Sequence, residues 1–135
     1  MMTNEQKVTY WLELSDNDLK VAEDLFSLKH YLYSGFMCHQ VIEKIFKGYY
    51  AKLKEDTPPF THDLRYIAIA ADFWKDLTEK QQLQVIELMP LQIEARYPEY
   101  KSKIAKMLTD LKCKQILQNT KELHQWTKEQ ILLKK

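Results

Sequence analysis

The scarcity of chain-reversing residues constrains this protein more than any other feature. Its 135 residues include 2 glycines and 4 prolines. Tight turns rely on glycine for positive φ and on proline for fixed φ. A β-sandwich needs a turn roughly every 8–12 residues. A chain this poor in both residues is expected to build long helices instead. The apolar pattern agrees. Val8, Leu12, Ser15, Leu19, Ala22 and Phe26 recur at steps of three and four and predict a first helix over Asn4 to Leu28.

The same reasoning places the other elements. Ser34, Met37, Cys38, Val41, Ile45, Tyr49 and Leu53 form an apolar stripe and predict a second helix from Tyr33 to Leu53. Gly48 lies inside it, where glycine costs about 1 kcal/mol against alanine, so a close helix contact is expected there. Thr57-Pro58-Pro59 breaks the chain into a loop. Thr61 is the expected N-cap of a third helix, with Asp63 in its first turn and Leu64, Ile67, Ala68 and Ala71 on its buried face. Thr78 to Gln81 fits a capping box opening a fourth helix, limited by Pro90. The stretch from Pro90 to Tyr100 is expected to be the least regular. Thr109 caps a last helix running to about Leu133.

The length suits one domain, residues 1–135, with a core that needs no staples. The expected fold class is all-α: an up-and-down bundle of four to five helices, its third and fourth helices filling a crossover.

Composition then excludes several functions. Hydrophobic residues at 45% and charged residues at 29% suit neither a disordered nor a membrane chain. With a net charge of +1, any nucleic-acid contact must come from a local patch. Cys38 and Cys113 sit in apolar, helix-like surroundings and are expected to be reduced core residues rather than a disulfide or metal ligands. The polar opening, Met1 to Val8, is expected to carry no signal peptide, and no apolar run reaches membrane-spanning length, so no membrane role and a cytoplasmic location are expected. No GxxxxGK[ST], GxSxG, HExxH or CxxC pattern occurs, and neither a metal nor another cofactor is expected.

The second helix carries His39-Gln40-x-x-Glu43-Lys44-x-x-Lys47. Upstream stands Asp18-Leu19-x-x-Ala22. Downstream come Thr61-His62-Asp63-Leu64, then Ala95-Arg96-Tyr97-Pro98, and Trp126 near the end. In this order and spacing, from about Thr9 to Leu133, the chain resembles the prokaryotic HEPN domains, relatives of the C-terminal helical domain of kanamycin nucleotidyltransferase. The resemblance implies a HEPN-like bundle, often paired as a homodimer. It also implies a small nucleotidyltransferase as partner, which supplies metal and nucleotide chemistry while the helical chain helps form the substrate site. Other family members are ribonuclease toxins of toxin–antitoxin pairs or defence nucleases, which use an Arg followed four to six residues later by a His. Here Arg65 and Arg96 lead to no such histidine, and none of His30, His39, His62 and His124 follows an arginine at that distance.

Gln40, Lys44, Lys47, His62, Asp63, Arg96 and Tyr97 are therefore the expected nucleotide- or substrate-binding residues, with no catalytic residue assigned. Gln40, Lys44 and Lys47 share one helix face, and two ammonium groups with an amide suit phosphate oxygens; an ordinary solvated face with a His39–Glu43 neighbour pair is the alternative. His62 and Asp63 begin a helix, where free N–H groups attract anions; Asp63 serving the helix dipole alone is the alternative. Arg96 suits bidentate phosphate contact and Tyr97 suits base stacking; a loop tie and a core-edge ring are the alternative. The expected function is a non-catalytic nucleotide- or substrate-binding helical subunit, with nucleotide or RNA as ligand. A divergent metal-independent ribonuclease and a purely structural oligomerisation module are the competing expectations.

Overall fold

Three helices of 24 residues form the frame: α1 (Asn4–Ser27), α2 (Tyr31–Lys54) and α6 (Asp110–Leu133). Between α2 and α6 lie α3 (Leu64–Ala70), α4 (Glu79–Leu88) and α5 (Pro98–Met107). The computed structural model describes residues 1–94 and 96–134, and these contain no strand. Ala95, part of the Ala95-to-Pro98 motif, lies outside the described residues.

The helix starts follow capping chemistry. Thr3 and Gln6 close a capping box on α1, and Thr78 and Gln81 close the expected one on α4. Thr109 accepts from the Lys112 N–H and caps α6, as its position predicts. At α3 the cap is Asp63, whose carboxylate accepts from the Tyr66 N–H at 2.9 Å. Thr61, the expected cap, instead holds the Asp63 N–H with its hydroxyl at 3.1 Å. Pro98 opens α5 at the first position, where its missing N–H costs nothing and its φ is already helical. The helix that follows falls partly in the stretch expected to be irregular.

Cross-helix hydrogen bonds fix the directions. Asn4 Nδ2 donates to Ala51 O, Ser15 Oγ to Val41 O, and Ser34 Oγ to Ala22 O, so α1 and α2 run antiparallel. Lys121 pairs with Glu23 and Lys128 with Asp16, which sets α6 antiparallel to α1. Thus α2 and α6 point the same way, and α3 to α5 form the crossover that returns the chain.

The core lies around α2, which buries 13 of its 24 residues and so faces protein on nearly every side. Phe46, Phe73 and Tyr49 stack there, with centroids 4.9 and 4.6 Å from Phe73. Gly48 makes the close approach its position implies: a Cβ added to it would stand 3.2 Å from Trp11 Cβ. Cys38 and Cys113 are free and buried, and burial pushes the Cys38 thiol up to about 12.

Candidate functional site

The row His39, Glu43 and Lys47 steps along α2 by one turn each, which lines the three side chains on one face. All three are buried, with Glu43 only 2% exposed. That overturns the solvated-face alternative for this part of α2. Ionic groups in such surroundings need partners, and each has one. Lys47 Nζ donates to Glu43 Oε2 at 3.0 Å and lies 5.4 Å from the centroid of the Trp11 ring. Glu43 Oε1 accepts from His62 Nδ1 at 2.9 Å.

His39 closes the arrangement from the other side. Its Nε2 lies 3.1 Å from the backbone carbonyl of His62, which can only accept, so Nε2 carries the proton. Desolvation pulls the His39 pKa below its ordinary value, against the opposing pull of Glu43, and keeps the ring neutral. Nδ1 is then a bare acceptor. Gln40 Oε1 is placed 3.2 Å away; with Nδ1 bare, a half-turn of the amide brings its NH2 there as the donor.

His62 emerges from this cluster. Its backbone is held by His39 and its Nδ1 by Glu43, yet its side chain remains 51% exposed. A carboxylate can only accept, so the proton of a neutral His62 sits on Nδ1 and leaves Nε2 bare. The result is an oriented imidazole at the mouth of a buried ionic row. Among the described residues no three His, Cys, Asp or Glu side chains converge as metal ligands.

The other expected site residues are placed as follows. Lys44 pairs with Asp18 at 3.2 Å, and both side chains are largely covered. Both lysines of the expected phosphate grip are thus already matched to carboxylates, which weakens any positive field they make. Asp63 caps α3. Arg96 donates from Nε to Gln92 O at 3.3 Å and stacks on Tyr100, its guanidinium carbon 4.8 Å from the ring centroid. Tyr97 is 81% exposed rather than filling the core edge. The structure therefore gathers Lys47 and His62 on Glu43, with Gln40 on the neighbouring His39, while Arg96 and Tyr97 lie on a separate segment.

Two participants stood in the sequence motifs without a site role. Glu43, the hub, stood there only as a neighbour of His39. The i, i+4, i+8 spacing of His39, Glu43 and Lys47 was available as a signal. Asp18, the partner of Lys44, comes from α1, and a contact across 26 residues leaves no periodic trace.

A second buried histidine, His124 on α6, places Nε2 3.1 Å from Asp16 Oδ1 without hydrogen-bond alignment. Its pKa is lowered, chiefly by desolvation.

Comparison with known proteins adds independent findings. No curated protein matches the chain. The crystal structure of TT1696 from Thermus thermophilus superposes with a TM-score of 0.77 at 20% identity, covering 91% of this chain and 97% of that one. That likeness speaks for the fold. The family model described as HEPN domain matches residues 8–131, nearly the whole chain. With the helical bundle and the motifs of α2 and α3 in place, this protein belongs to the HEPN domain family.

Proposed function

We propose that this chain is a HEPN-type helical subunit that binds a nucleotide or a phosphate-bearing substrate and lacks a complete catalytic set of its own. One observation carries the reading. The buried middle of α2 holds a His–Glu–Lys row, and among the described residues the half-exposed His62 imidazole joins that row to solvent. Removing ions from water is expensive. An apolar row would fill the same space with no such cost, so the row is best understood by what it presents.

A small nucleotidyltransferase is the partner this reading favours, with homodimerisation alongside. Support for a partner-facing surface comes from Tyr66 and Ile69 on α3 and Leu83 and Ile86 on α4, all exposed. Calorimetric titration of ATP and AMP into the purified chain, alone and with a candidate nucleotidyltransferase, tests the reading. Binding that is lost in His62→Ala is expected. No heat in either setting contradicts it.

RNA as the ligand has its own support. Residues 96–114 hold six basic side chains against Glu99 and Asp110, and Lys112 pairs with Glu87 at 2.8 Å, which leaves a local excess of three positive charges in a chain whose total is +1. Arg96, Lys103 and Lys106 are exposed there, as is Tyr97. Backbone contact by this patch predicts affinity that falls steeply with salt and weakens in Lys103→Ala/Lys106→Ala.

A further inference from the structure

We propose that His62 is a proton-transfer residue toward a hydroxyl of the bound ligand, with Glu43 as the residue that positions its imidazole. This rests on the reading that a ligand seats against His62. Glu43 Oε1 takes the Nδ1–H at 2.9 Å, and Lys47 fixes the other oxygen at 3.0 Å. The His62 carbonyl is pinned by His39 Nε2 at 3.1 Å, so the backbone that carries the ring is tethered as well. A carboxylate on one imidazole nitrogen selects the tautomer and turns the other nitrogen outward as a base.

Nε2 makes no hydrogen bond among the described residues, and half of the side chain is open to solvent. A ligand O–H placed there gives its proton to Nε2. The oxygen keeps the electron pair, and the new imidazolium retains Nδ1–H on Glu43, whose negative charge stabilises it. Return of the proton reverses the step. Because Glu43 is buried and clamped, the orientation is built before a ligand arrives, which is the condition for an effective base. A merely structural His62 would need neither a bare Nε2 nor a half-exposed side chain. His30, exposed and with no carboxylate partner among the described residues, is an internal reference.

Nitrogen-15 spectra of the histidine rings in the full chain, recorded across neutral pH, read the tautomer directly. Neutral His62 is expected to carry its proton on Nδ1. Diethyl pyrocarbonate is expected to modify His62 at Nε2 faster than His30 and to leave His39 and His124 unmodified. Glu43→Met/Lys47→Met, which removes the acceptor without stranding the lysine, abolishes both the tautomer preference and the rate advantage. A proton on Nε2 in the wild type, or modification of His62 no faster than His30, overturns the proposal without any variant. AMP and ATP are then added as protectants. Protection supports a ligand seated at Nε2. Its absence with the tautomer and rate intact contradicts the docking reading and removes the ligand from the proposed step.

Discussion

Two adjacent rows of α2 solve the problem of burial in opposite ways. One row, Ile42, Ile45, Phe46 and Tyr49, meets Phe73 and its neighbours through apolar area. The other, His39, Glu43 and Lys47, meets its surroundings through ion pairs and hydrogen bonds. Burial of a large apolar side chain is worth roughly 1.5–3 kcal/mol. A buried ion pair often returns no more than the desolvation of its members costs. The first row therefore carries stability. The second, on the proposed function, is kept for the geometry it gives His62. One helix supplies both, which is why it is buried on nearly every side.

The contrast can be broken most severely in the apolar row. Phe73→Ala is expected to cost about 3–5 kcal/mol, the range for deleting a buried ring, measured by urea denaturation. A loss below about 1 kcal/mol would mean that the aromatic stack is not the anchor of this end of the core.

In the polar row, removing one partner and removing both should differ. Glu43→Ala strands Lys47 and is expected to cost about 3 kcal/mol, at the lower end for an unpaired buried charge. Glu43→Met/Lys47→Met should cost less than Glu43→Ala despite changing more atoms. A double-variant loss equal to or above that of Glu43→Ala would show that the pair itself holds the fold together.

A smaller effect comes from pH. The pKa of His39 and of His124 is lowered in the folded protein, in both cases first by desolvation. As pH falls through about 6.5, the ordinary histidine value, the unfolded chain takes up protons that the folded chain refuses. Stability therefore declines from neutral pH toward pH 5. His39→Gln should flatten part of that decline in denaturation curves taken at several pH values. An unchanged slope in both His39→Gln and His124→Gln would contradict the assignment. The smallest effect is expected at the surface: Lys20 pairs with Asp24 in the open, and Lys20→Ala should change stability by less than about 0.5 kcal/mol.

The same contrast explains what the amino-acid sequence revealed. Caps and apolar steps are local, so the three long helices, the Thr78–Gln81 box and the Thr109 cap could be read directly. Pro98 was harder, because proline both stops a helix and starts one, and only the apolar contacts of Ile104 and Leu108 decide between these roles. Cys38 and Gly48 were legible because small residues within an apolar stripe have few uses. For the site, His62, Lys47 and Gln40 were identified by motif, but their environment was not. A lysine in a helix looks the same whether it meets water or a carboxylate. What surrounds Lys47 depends on Trp11 and His62, 36 residues before it and 15 after it in the chain. The hub role of Glu43 and the pairing of Lys44 with Asp18 are tertiary facts in the same sense.

The most direct test is the denaturation midpoint of a variant whose whole polar row is apolar: His39→Leu, Glu43→Met and Lys47→Met together. If the row exists to present the imidazole, the variant folds and its midpoint equals or exceeds that of the parent. A lower midpoint corresponding to a stability loss of about 3 kcal/mol or more, the cost of a broken buried pair, would show that α2 needs these ions to hold the bundle together, and the functional reading of the row would then lose its ground.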